Sequence, residues 1–160
     1  MSVRATMILL AAMLAVPMGL SAQSKAQADP LFGTWKLNQA KSNFGGRPSP
    51  GELTRVYEPI PNGVRIVREL EGADGKPTRG GWDMPFDGKD HPVKGDHRLD
   101  TLALKRIDAH TVEAVAKQNG KLTNTMRWDI SPDGKTLKWT SKRILPPEEA
   151  GTIVRIYDRQ

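Results

Sequence analysis

The chain has 160 residues, no cysteine and a formal net charge of +6. That length fits one domain better than two, and the missing thiols exclude disulfide support, a cysteine nucleophile and thiolate metal ligands. Basic residues are interleaved with acids instead of forming a run, so no nucleic-acid partner is expected.

The first stretch does not belong to a fold. Arg4 gives a short positive start, and Met7 to Leu20 is a 14-residue apolar run containing Pro17. Ala26-Gln27-Ala28 then offers a small-x-small cleavage pattern before Asp29. That order describes a secretory signal peptide over residues 1–28, with cleavage near Ala22 or Ser24 as variants. A retained anchor needs about 20 apolar residues, more than are present. Without a cysteine at the cut, the leader is not of the lipoprotein type. Cleavage removes Arg4, Lys25 and no acid, which leaves residues 29–160 as one domain of charge +4. The expectation is an exported, periplasmic or secreted protein that does not span a membrane after cleavage.

From Asp29 onward, short runs with period-two alternation are separated by glycine-containing turns. Leu31 to Leu37 predicts a first strand, followed by one helical turn or a loop over Asn38 to Phe44 and a flexible connection over Gly45 to Gly51. Leu53 to Glu58 and Val64 to Leu70 predict the second and third strands, with Val64, Ile66, Arg68 and Leu70 on one face. Trp82, Met84 and Phe86 alternate with Asp83, Pro85 and Asp87, the clearest half-buried strand in the chain. A polar stretch runs from Asp90 to Asp100. Thr101 to Ile107 and Thr111 to Lys117 follow, and then Asn119-Gly120, a two-residue hairpin signal. In the next strand Leu122, Met126, Trp128 and Ile130 form one face. Ser131-Pro132-Asp133-Gly134-Lys135 is a turn, because proline sets φ and glycine accepts positive φ. Leu137, Trp139 and Ser141 share a face of the penultimate strand, Ile144 to Ala150 is a loop, and Thr152 to Arg159 is the last strand. About nine strands at this spacing predict an all-β fold. Consecutive hairpins favour an antiparallel up-and-down meander of 8–10 strands, closed or nearly closed into a lipocalin-like barrel that removes its own edges. A β-sandwich and an open curved sheet remain as alternatives.

Two end motifs carry a resemblance. Gly33-Thr34-Trp35 opens the first strand, and Arg155-Ile156-Tyr157 lies in the last. Together they resemble the calycins, the lipocalins and fatty-acid-binding proteins. The resemblance implies that Trp35 packs across the barrel base near a basic residue of the last strand. It also implies that Arg155 and Tyr157 hold a ligand carboxylate. The middle of the chain, through Trp35-Lys36-Leu37-Asn38, Asp87 to Val93 and Ser131 to Lys135, is similar to uncharacterised exported bacterial proteins, which brings no activity.

The four tryptophans, Trp35, Trp82, Trp128 and Trp139, either fill an ordinary core or line an aromatic cavity. Arg155 and Tyr157 share a face with Ile153. If that face points inward, the guanidinium needs a ligand carboxylate or an internal acid such as Glu58 or Glu69. If it points outward, Val154 and Ile156 face the core instead. Asp87, Asp90, His91, Asp96, His97 and Asp100 crowd the central polar stretch, but their spacing matches no metal-binding motif. No G-x-S-x-G, G-x-G-x-x-G or P-loop pattern occurs, Ser131 sits in a turn signature, and a single Ser-Pro-Asp-Gly-Lys copy excludes a propeller. Neither catalysis nor a cofactor or metal is expected. The predicted function is a lipocalin-like module whose partner is a small hydrophobic, fatty-acid-like anion, bound by Trp35, Trp82, Trp128, Trp139, Arg155 and Tyr157. The alternative is a noncatalytic envelope structural or interaction protein with a filled core.

Overall fold

The computed structural model describes residues 29–51, 53–71, 77–95, 99–144 and 151–160. The expected leader, Asp96, His97 and most of the loop before the last strand lie outside the described residues. The strands in chain order are β1 (Gly33–Asn43), β2 (Leu53–Ile60), β3 (Gly63–Glu71), β4 (Pro77–Pro85), β5 (His91–Pro92), β6 (Thr101–Asp108), β7 (Thr111–Gln118), β8 (Lys121–Ile130), β9 (Thr136–Arg143) and β10 (Gly151–Arg159). They form one antiparallel sheet in the order β4-β3-β2-β1-β10-β9-β8-β7-β6-β5. Every pairing is a sequence-adjacent hairpin except β1 with β10, which joins the two ends of the meander. The predicted all-β, nearly closed barrel is therefore the fold.

The hairpins follow from their turn residues. Asn119 and Gly120 both have positive φ, 50° and 72°, as a two-residue turn matched to strand twist requires. In the β8–β9 turn, Gly134 takes φ 68° while the Asp133 carboxylate accepts the Lys135 N–H at 3.0 Å. Strands β4 and β6 come together without a continuous ladder among the described residues, β5 being a two-residue strand on the outer side of β6. They are tied at one end, where the Gly88 N–H donates to the Leu104 carbonyl at 2.8 Å and Asp87 bridges Lys105. Beside this seam, the Trp82 indole N–H donates to the Lys94 carbonyl at 2.8 Å.

Period-two alternation sends one face of each strand inward. Leu137, Trp139 and Ser141 are all buried on β9, as expected. Trp35, Tyr57, Leu104 and Tyr157 are buried across the barrel, each large apolar side chain contributing about 1.5–3 kcal/mol. The outer face carries ion pairs such as Arg65–Asp83, Glu69–Arg79 and Glu113–Arg127, where a lipid-facing barrel surface would be apolar. No helix among the described residues is long and apolar enough to cross a membrane.

Two local expectations are corrected. Residues after Asn38, expected as a helical turn or loop, belong to β1, which runs on to Asn43. The register with β10 shifts there: Asn38 faces Ile156 but Asn43 faces Val154. The extra residues bulge, and Ser42 bridges them by donating to the Asn38 carbonyl and accepting the Ile156 N–H. On β8, Leu122 does not share the inner face of Met126 and Trp128. A bulge between Ala116 and Lys117 shifts the pairing, so Thr123 turns inward and Leu122 is exposed. Thr123 is satisfied there by donating to the Ala116 carbonyl at 3.1 Å.

Candidate functional site

The last strand presents Ile153 and Arg155 to the barrel interior, and Tyr157 is fully buried on the same face. Arg155 and Trp139 are direct cross-strand partners, and the Arg155 guanidinium lies 4.8 Å from the Trp139 ring centroid. The inward reading of this face is the observed one. Neither acid considered as an internal partner points that way. Glu69 pairs with Arg79, and Glu58 alternates with the buried Tyr57.

A second R-x-Y sequence, Arg55-Val56-Tyr57 on β2, supplies the most deeply placed charge. Arg55 is only 9% exposed, beside Leu53 and Tyr57 on the inward face. Its guanidinium lies 5.0 Å from the Trp139 centroid and 5.6 Å from that of Tyr157. It donates to the Tyr57 hydroxyl at 3.3 Å, and the same oxygen accepts the Trp128 indole N–H at 2.7 Å. Burial opposes the charge on Arg55, but the surrounding Tyr157 and Tyr57 oxygens outweigh it and raise its pKa. Burial likewise raises the Tyr57 phenol, which stays neutral and accepts. Among the described residues, Arg55 Nε, Trp139 Nε1 and the Tyr157 hydroxyl of this cluster are buried without a hydrogen-bond partner. Trp128 packs edge-on to Trp139, with ring centroids 6.4 Å apart.

Above this cluster is a cavity of about 390 Å³. Arg55, Trp128, Trp139, Arg155 and Trp82 line it on the polar and aromatic side. Leu53, Ile66, Leu102, Met126 and Ile153 supply its apolar wall. Arg68 and Arg143 are two further lining cations, Arg68 lying 5.6 Å from the Trp82 centroid. Of the six candidate residues, the structure brings Trp82, Trp128, Trp139 and Arg155 to the cavity. Trp35 and Tyr157 lie in the packed core, Tyr157 against Arg55.

At the barrel base, Trp35 donates its indole N–H to the Leu31 carbonyl at 2.9 Å. The basic residue of the last strand that covers it is Arg159, 4.2 Å from its ring centroid. Neither Arg55 nor Arg159 was a candidate from sequence. The signals were present: Arg159 continues the alternation of Arg155 and Tyr157, and Arg55 repeats the R-x-Y spacing on a strand opened by inward Leu53.

The central polar stretch is occupied by structure. Asp87 lies 3.0 Å from His91 Nε2, Asp90 accepts from Lys117 at 2.7 Å, and Asp100 accepts the Asn119 N–H. The Lys89 backbone N–H, then His91, hold the Asp87 carboxyl below the usual carboxylate range. No group of three or more metal-ligating side chains converges among the described residues.

No protein-family model matches the chain, and no curated protein does. Solved structures do. A mutant of the fluorescent protein UnaG aligns over 82% of this chain and 96% of its own, with a TM-score of 0.58 at 18% identity. As-p18, an extracellular fatty acid binding protein, aligns over 82% and 97% with a TM-score of 0.58 at 13% identity. A Schistosoma mansoni fatty acid binding protein in complex with arachidonic acid gives 0.54 at 11% identity, covering 82% and 96%. A zebrafish ileal bile acid-binding protein complexed with cholic acid gives 0.52 at 11% identity, covering 82% and 99%. The fold is thus calycin-like.

Proposed function

We propose that the protein is an exported, noncatalytic binding module that holds one small amphipathic anion inside its barrel. The observation that carries this reading is Arg55: a guanidinium at the cavity floor whose protein contacts are aromatic rings and a neutral phenol. A buried cation is costly unless an anion compensates it, and an acid head group of a ligand does so with bidentate geometry. Arg155 stands beside it on the same indole. The apolar wall of Leu53, Ile66 and Met126 suits the body of such a ligand. A volume of about 390 Å³ falls within the usual range of small-molecule pockets. Two structures of the same fold are described as complexes with arachidonic acid and cholic acid, both acids on apolar bodies. A cavity of about 390 Å³ supports this reading over that of a noncatalytic envelope structural or interaction protein with a filled core.

The test is titration of a fluorescent fatty acid against the wild type, Arg55→Gln and Arg155→Ala, each checked for folding by circular dichroism. Saturable binding by the wild type that Arg55→Gln weakens by at least about tenfold is the expected result. No wild-type binding, or equal binding by the folded variants, removes the anchor and the reading with it. Export belongs to the same proposal. The leader at 1–28 supports a mature chain beginning between Gln23 and Asp29. N-terminal sequencing of exported material checks this, and an intact Met1 in a membrane fraction contradicts it.

A further inference from the structure

The four tryptophans differ in where their indole N–H groups go. Trp35 donates to the Leu31 carbonyl at 2.9 Å, Trp82 to the Lys94 carbonyl at 2.8 Å and Trp128 to the Tyr57 hydroxyl at 2.7 Å. Trp139 is buried too, yet its N–H has no hydrogen-bond partner among the described residues. A buried N–H that has left water without gaining an acceptor is costly, and such groups are rare in folded proteins.

The strand pattern explains why Trp139 is the exception. Leu137, Trp139 and Ser141 face inward on β9, and Trp139 is the direct cross-strand partner of Trp128. The two rings pack edge to face, with 80° between their planes. The oxygen that serves Trp128 is already full, because Tyr57 also accepts from Arg55 at 3.3 Å and a hydroxyl oxygen has two lone pairs. Ser141 Oγ, the next oxygen along the same face of β9, accepts from Asn124 at 3.1 Å. What Trp139 does adjoin is the cavity, whose wall it forms with Arg55. The Arg55 guanidinium stacks over the Trp139 ring at 5.0 Å from its centroid. It is held to Tyr57 through Nη1, and its Nε is likewise buried without a hydrogen-bond partner among the described residues. Two unpartnered donors, one neutral and one on a cation, therefore sit on stacked side chains in one part of the cavity wall.

We infer that Trp139 is a specificity-determining residue of this site, its indole N–H donating to one oxygen of a ligand carboxylate while Arg55 Nε donates to the other. This rests on the reading of the cavity as a site for an amphipathic anion and names a second donor that reads the head group. A carboxylate presents two acceptor oxygens and a charge, whereas an alcohol presents one oxygen and none. The arrangement weakens the empty barrel slightly and favours the occupied one.

Proton NMR of the indole N–H groups gives one signal for each tryptophan, and Trp139→Phe identifies the signal that belongs to Trp139. Titration of the wild type with dodecanoate should move that signal downfield and slow its exchange with solvent, and dodecanol should leave it nearly in place. Replacing Trp139 by benzothienylalanine keeps both fused rings and removes only the N–H. That replacement should weaken dodecanoate about tenfold and dodecanol by less than about twofold. Its urea midpoint should not fall, because the N–H it removes has no partner in the empty barrel, whereas the same replacement at Trp128 breaks the bond to Tyr57 and should lower the midpoint. If the wild type binds dodecanoate and the Trp139 signal stays in place, or the replaced protein binds equally well, the donor role is overturned and the anion-binding function stands. A midpoint that falls at position 139 with affinity unchanged assigns the N–H to the fold instead. If the wild type binds neither compound, both readings fall.

Discussion

The Arg159 guanidinium lies 4.2 Å from the centroid of the Trp35 indole and donates to the backbone carbonyls of Pro30, Phe32 and Gly134. One side chain from the end of β10 thereby ties the segment before β1 to the β8–β9 turn. Gly33 sits beneath it, and a Cβ there would meet the Arg159 Nη1 at 2.6 Å. Glycine at this place, with φ 132°, is what lets the guanidinium reach across.

Arg159→Ala should therefore destabilise the fold by about 2–4 kcal/mol, through lost cation–π contact and carbonyls left without their donor. Urea unfolding checks it, and the slope should stay unchanged while the midpoint falls. Affinity for ligand should be unaltered under native conditions, since Arg159 does not line the cavity. A midpoint equal to that of the wild type would make the contact decorative.

Tyr57→Phe should cost about 1–3 kcal/mol although it removes only one oxygen. That oxygen accepts from both Arg55 and Trp128, so its loss leaves two buried donors unsatisfied. A neutral substitution would mean that the hydroxyl takes no part in holding Arg55 in place.

The tryptophans should divide by burial. Trp128 is 3% exposed in the core, and Trp128→Ala should cost about 3–5 kcal/mol. Trp82 is only partly buried at the seam between β4 and β6, so Trp82→Ala should cost less. Chemical denaturation of the two variants decides, and equal losses would contradict this placement.

The pattern of strands was legible because turn chemistry and period-two alternation are local. Asn119-Gly120 and Ser131 to Lys135 specify their hairpins without help from the rest of the chain. What was not legible was phase after a bulge. Leu122 looks like an inner-face residue until the β7–β8 register slips at Ala116 and puts Thr123 inside instead. The site was half visible for a related reason. Alternation from Ile153 put Arg155 and Tyr157 on one face, but only closure of β1 on β10 brings Arg55 from β2 to the same indole. Contacts across a barrel interior have no counterpart in sequence spacing.

Stability should fall on the alkaline side through Tyr57. Burial raises its pKa in the folded state, so the unfolded chain loses this proton first. The stabilisation is fully present below the ordinary tyrosine pKa of about 10 and is lost as pH rises above it. Thermal melts of wild type and Tyr57→Phe across that range test the sign. The gap between them should narrow as pH rises, and a widening gap would reverse the assignment.

The central claim, that the barrel binds an amphipathic anion by its charge, is tested most directly by calorimetric titration of dodecanoate against dodecanol. The two share an apolar tail and differ in the group that meets Arg55. The account predicts that dodecanoate binds one per chain, at least about thirtyfold tighter than the alcohol. Equal affinities, or no heat from either, would contradict it.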